Sequence, residues 1–143
     1  MKRTTFASAQ DVEQAFYEAL ERADLDTMME VWADDEEVVC IHPSGPRLAG
    51  YERVRENWAQ IFASPQRLQV RTSDLSVVQG MMFAIHNLLE NITVVGEPRA
   101  RPPVAVTNVY VRTSSGWRML VHHASHAPGA PPEPAAEGPK ILH

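Results

Sequence analysis

Six histidines stand against one cysteine, and three of the six, His122, His123 and His126, crowd into five positions. Imidazole is the side chain that both ligates transition metals and moves protons near neutral pH. Strand geometry decides between these uses. The segment around the cluster reads as a β-strand, in which adjacent side chains point to opposite faces. His122 and His123 therefore cannot share one ion, and His126 pairs with His122 only if the chain bends. No acidic ligand at a defined spacing and no H-E-x-x-H helix accompanies them, so no metal is expected. Cys40 lies inside Val38-Val39-Cys40-Ile41. As a lone thiol it excludes an intrachain disulfide and a cysteine zinc cluster, and it reads as a small buried hydrophobe.

Other chemistries are excluded by missing motifs. Ser44, Ser114, Ser115 and Ser125 have no G-x-S-x-G context, and there is no P-loop or dinucleotide fingerprint. No cofactor is expected. Thirteen Lys and Arg against eighteen Asp and Glu give a net charge of −5 with no basic stripe, which disfavours nucleic acid as a partner. With 143 residues, 44% of them hydrophobic, the chain can bury a core without staples. No stretch is long enough to span a bilayer, and Met1-Lys2-Arg3 leads into polar sequence, so the expectation is no membrane and a cytoplasmic location.

The elements that position these residues follow from periodicity. Val12, Ala15, Phe16, Ala19, Leu20 and Ala23 draw one apolar helical stripe, opened by Ser8 as an N-cap for the amide of Asp11. Asp26 reads as the N-cap of a short second helix carrying Met28, Met29 and Trp32. A short strand, Val38 to His42, stops at Pro43, and 42–46 reads as a loop. Gly50 opens a third helix with Val54, Trp58, Ile61 and Phe62 on one face. Four strands follow, Leu68 to Val78, Met81 to Val95, Val104 to Thr113 and Trp117 to Ser125, joined by short turns and hence antiparallel. The second is long enough to predict a bulge or bend near Asn87 to Asn91. Residues 128–143 hold five of the eleven prolines and read as a tail too poor in apolar surface to order itself. The division is a domain over 1–127 and a Pro-rich tail over 128–143. Helices first and strands after give an α+β fold: three N-terminal helices packed on a curved antiparallel sheet, forming a cone with a mouth.

The strand-loop-helix Cys40-Ile41-His42-Pro43-Ser44-Gly45…Leu48-Ala49-Gly50 and the closing strand Gly116-Trp117-Arg118-Met119-Leu120-Val121-His122-His123-Ala124-Ser125 carry a resemblance. From about Ala9 to Pro128 the chain resembles the nuclear transport factor two-like, cystatin-like superfamily in its SnoaL-like branch. Trp117, His123, Ala124-Ser125 and Ala127-Pro128 are similar to the end of the association (hub) domain of calcium/calmodulin-dependent protein kinase II. The resemblance implies a pocket between helices and sheet. Where the hub domains hold two arginines on the middle strands, this chain has Asn87 and Asn108, which cannot clamp a carboxylate as arginine does. The hub acid ahead of the loop proline is replaced by His42. Steroid isomerases of the superfamily use a pocket aspartate with a tyrosine, and the polyketide cyclases also rely on an acid. No aspartate stands at a pocket-facing position here. Such a fold hosts many unrelated activities.

Alternation assigns the faces. Trp117, Met119, Val121 and His123 share one face of the last strand, and His122 takes the other, where a dimer interface would use it. Asn108 and Tyr110 share a face of the preceding strand. On the long strand Ile85, Asn87 and Leu89 oppose His86, Leu88 and Glu90. A bulge would exchange the two sets, leaving His86 as the alternative to Asn87. With His123 inward beside Asn108 and Asn87, three polar groups converge in an apolar lining, the usual look of a small-molecule site. His123 and His42 are then the acid-base candidates, His42 overhanging the mouth, and Trp58, Asn87, Asn108, Tyr110 and His123 the ligand-binding set. The bland alternatives are a core His123 satisfied by Asn108 and a loop-capping His42. Two functions follow. One is a small-molecule-binding protein that acts as a cofactor-independent acid-base enzyme of isomerase, cyclase or hydrolase kind. The other is an association module with a vestigial pocket. Either is compatible with a homodimer formed through the sheet face carrying Thr107, Val109 and Val111.

Overall fold

The computed structural model describes residues 3–99 and 101–127. The expected tail over 128–143 lies outside the described residues. Among these, three helices and six strands follow one another as α1 (Ala9–Arg22), α2 (Leu25–Val31), β1 (Val39–Ile41), β2 (Arg47–Ala49), α3 (Tyr51–Ala63), β3 (Leu68–Gln79), β4 (Phe83–Val94), β5 (Val104–Thr113) and β6 (Gly116–His126). The sheet order is β2-β1-β6-β5-β4-β3. This is the α+β arrangement of three helices on a curved sheet.

Local chemistry sets the helix ends. The Ser8 hydroxyl accepts from the Asp11 amide at 3.1 Å, and Ala23 closes α1 in the left-handed conformation. The cap of α2 is Asp24 rather than Asp26: Asp24 accepts from both the amide and the hydroxyl of Thr27, so the helix starts two residues closer to α1. The stripe of α1 buries Val12, Phe16 and Ala19 against the sheet, where they join Met28, Trp32, Val54, Trp58, Leu88 and Met119 in one core. Gly116 turns the last hairpin with φ 106, and a Cβ there would meet Phe6 O at 2.8 Å. That glycine lets the N-terminal segment lie on the hairpin, where Trp117 N–H donates to Phe6 O.

Strand pairing departs from the sequence reading in three ways. Residues 47–49, unassigned between the loop over 42–46 and Gly50, form β2, paired with β1. β1 lies parallel to β6, because the connection between them runs through α3 and the other strands rather than a hairpin. The irregularities fall in β3, between Ser73 and Ser76, and in β6 opposite Val109 and Tyr110, whereas β4 pairs with β5 without a break.

The β6 irregularity reverses the expected facing of the histidines. Met119 pairs with Tyr110 and Val121 with Val109, which leaves Leu120 as an extra residue. One extra residue exchanges the two faces beyond it. His122 therefore pairs with Asn108 and is 3% exposed, while His123 pairs with Thr107 on the outer face and is exposed.

Candidate functional site

The inner face of the sheet carries a row of polar residues. His86 on β4, Asn108 on β5 and His122 on β6 are successive register partners, and Cys40 on β1 continues the row. Helix α1 lies over the row and lowers two polar side chains one turn apart, Glu13 and Tyr17.

Two hydrogen-bonded groups result. In the first, His122 Nδ1 lies 2.6 Å from Asn108 Oδ1. An amide oxygen only accepts, so Nδ1 carries the proton. Asn108 Nδ2 donates to the Tyr17 hydroxyl at 3.3 Å, and Tyr17 donates to Glu90 Oε2 at 2.6 Å. The chain runs His122, Asn108, Tyr17, Glu90, all buried. In the second, Glu13 Oε1 accepts from Tyr110 at 2.7 Å and meets His86 Nδ1 at 2.8 Å.

Burial sets the charge states of the first group. Desolvation pushes the Glu90 carboxyl up to about 7, against the pull of the Tyr17 hydrogen bond and with a push from Glu13. The Tyr17 phenol is raised by burial and by Glu90. Desolvation, with His42 and His123 adding, takes His122 down to about 3. His122 is therefore neutral at physiological pH, with its free lone pair on Nε2.

An aromatic path connects this chain to the rim of the cone. Phe16 packs 4.9 Å from His122 and 5.7 Å from Trp58, and Trp58 packs 5.4 Å from Phe62, centroid to centroid. Phe62, with Leu20, Ile61 and Leu68, lines a largely apolar hollow of about 270 Å³. His42 stands beside the path, edge-on to Trp58 at 4.9 Å. Its Nε2 donates to Asn57 Oδ1 at 2.7 Å, and burial lowers its pKa. The Cys40 thiol is 3.6 Å from the same nitrogen, and burial pushes it up to about 12, so it stays protonated.

Of the expected site residues, Trp58, Asn108 and Tyr110 are buried inside the cone and His42 borders it. His123 and Asn87 are not inside. The Leu120 bulge turns His123 out. Asn87 pairs with Thr107 on the outer face and donates to its hydroxyl. His86 takes the inner place opposite Asn108. Glu13, Tyr17, Glu90 and His122 complete the interior. Glu90 shares its strand parity with His86, so the correct facing of β4 points to it, whereas Glu13 lies on α1 one turn before Tyr17. Among the described residues no group of three or more His, Cys, Asp or Glu side chains has the geometry of a metal site. No helix among them is long and apolar enough to cross a membrane.

Residues 10–129 match the SnoaL-like domain family. The chain belongs to that family. Among solved structures, the SnoaL-like chain is similar to a Thiobacillus denitrificans protein provisionally named a calcium/calmodulin-dependent protein kinase type II association domain. The two are 36% identical, with a TM-score of 0.83, over 88% of this chain and all of that one. It is also similar to a Streptomyces avermitilis protein provisionally named a dehydratase of the NTF2-like family, 34% identical with a TM-score of 0.74, over 82% of this chain and 92% of the other. A curated relative, the F-box protein SKIP8 of Arabidopsis thaliana, is 27% identical over 116 residues, and the SnoaL-like chain spans 47% of its length.

Proposed function

We propose that the protein binds a small uncharged molecule inside the cone and acts on it by cofactor-independent acid-base chemistry. The observation that carries this reading is the polar chain from His122 to Glu90, set at the end of an aromatic path from an apolar hollow. The Glu90 carboxyl, raised to about 7, can give and take a proton near neutral pH, and the neutral His122 holds the chain in one hydrogen-bonding direction. The occupant is uncharged because Arg118, the one buried cation among the described residues, is taken by the carbonyls of Glu30 and Ser115. Among the described residues no other buried arginine or lysine is left to balance a carboxylate ligand. Trp58, Asn108 and Tyr110 line the molecule's place and His42 guards its entry. The dehydratase name of the Streptomyces relative favours a lyase or isomerase type of step.

A second role rests on a different observation. Val78, Ile85, Val109, Val121 and Val39 are successive register partners and form an aliphatic row across the outer face. That row suits a homodimer through the sheet, in keeping with the association-domain name of the Thiobacillus relative. Self-association leaves the interior free, so the two roles coexist.

The test is a melting-temperature screen against uncharged small molecules. A hit should raise the melting temperature of the wild type and lose its effect in Asn108→Ala and Trp58→Ala. A screen in which every hit survives both substitutions contradicts the interior site.

A further inference from the structure

We propose that Glu13 and His86 form a carboxylate-imidazole dyad whose Nε2 removes a proton from the molecule bound in the cone. The proposal deepens the reading above, since it rests on an occupant entering the interior. Glu13 projects from α1 and His86 from β4, and Glu13 Oε1 lies 2.8 Å from His86 Nδ1. Tyr110 donates to the same oxygen at 2.7 Å. Two neighbours converging on one oxygen fix the carboxylate. With the carboxylate as acceptor, the ring proton belongs on Nδ1 and the lone pair on Nε2.

That Nε2 is buried and has no hydrogen-bond partner among the described residues. Buried acceptors are almost always satisfied, by protein or by ordered water, and a bound molecule can take that water's place. An imidazole oriented by a carboxylate, with its other nitrogen left without an internal partner, has the arrangement of a general base. The first polar group differs in its partner: His122 Nδ1 is held by the neutral amide of Asn108 and not by a carboxylate. His86 is the register partner of Asn108, so both sets face the same interior between the sheet and α1. Solvent reaches the dyad from its carboxylate side. A groove of about 310 Å³ between α1 and β3 is bordered by Glu13, Tyr17, Val70 and Thr72, and the Glu13 side chain is 15% exposed.

The step is a proton transfer. Nε2 takes a hydrogen from the occupant, the electron pair of the broken bond moves onto the occupant, and Glu13 balances the imidazolium. His86 is the catalytic residue and Glu13 a positioning residue.

The test uses the full chain and 5-nitrobenzisoxazole, a planar uncharged carbon acid. Loss of its ring C–H proton forms a nitrile and breaks the N–O bond, giving a coloured phenolate. Wild type should open the ring with saturation. His86→Gln should lower kcat by about a hundredfold, the usual scale for a general base. Glu13→Gln still offers an oxygen to Tyr110. It should lower kcat by about tenfold with KM unchanged, a split that a merely structural defect would not give. His126→Ala, an exposed histidine, should match wild type, and melting curves confirm that each variant is folded. If the probe raises the melting temperature but is not turned over, or is turned over equally by His86→Gln, the dyad is overturned while the binding site stands. If it neither binds nor reacts, and no uncharged molecule in the melting screen binds, both readings fall.

Discussion

His122 donates its Nδ1 proton to Asn108 Oδ1 across 2.6 Å, and this contact orders the polar interior. It fixes which way the Asn108 amide points, which aims Nδ2 at Tyr17 and leaves the phenolic proton for Glu90. Each group thus has one direction in which it can bond, and the chain ends at a buried carboxyl.

Asn108→Leu keeps the volume and removes both bonds. The His122 donor is then buried without a partner, which costs about 1–3 kcal/mol for each such group. Urea unfolding should show a loss of about 2 kcal/mol or more, with the slope against denaturant unchanged.

The Glu90 contribution to stability should fall as pH rises from the ordinary carboxylate range to about 7. The folded-state pKa of Glu90 is raised, to about 7, so the folded form holds this proton more tightly than the unfolded chain. Its favourable contribution is complete below the ordinary carboxylate range and is lost as pH rises through about 7. At roughly 1.4 kcal/mol per pKa unit the loss is on the order of 3 kcal/mol. His122, depressed to about 3, acts in the opposite sense, and its contribution is lost as pH falls from about 6.5. Thermal unfolding should therefore be best resisted in mildly acidic solution. Glu90→Gln should remove the part of the fall that lies below about pH 7, and an unchanged profile in that variant would assign the dependence elsewhere.

The adjacent histidines should behave differently. His122→Ala empties a buried site and strands Asn108, at a cost of about 2–4 kcal/mol. His123→Ala, at an exposed position, should cost about 0.5 kcal/mol or less. Equal costs by chemical denaturation would contradict the facing set by the Leu120 bulge.

The outer aliphatic row carries the dimer proposal. Val109 is its central member, flanked by Ile85 and Val121. Val109→Arg places an unpaired charge in a desolvated interface, a costly change. Sedimentation should report a homodimer for wild type and a monomer for the variant.

Much of the architecture was legible in the chain. The apolar stripe on α1, the Ser8 cap, the glycine ahead of α3 and the turn signals between strands all act locally, and the structure keeps them. What misled was strand facing. Alternation carries no information about a bulge, and nothing in Met119-Leu120-Val121 marks Leu120 as the extra residue. On β4, apolar side chains occur at both parities: Ala84 and Leu88 are buried while Phe83 and Ile85 are exposed. Hydropathy therefore could not choose between Asn87 and His86. Register with β5 makes the choice, and with it comes Glu90, whereas Glu13 and Tyr17 come from α1.

The central claim is an uncharged occupant inside the cone, and chemical-shift mapping with a fragment library tests it most directly. A binding fragment should move the resonances of Tyr17, Trp58, Asn108 and His122 together and leave His123 and Val109 in place. Fragments that move only the outer-face residues, or a library that moves none of the interior group, would contradict the account.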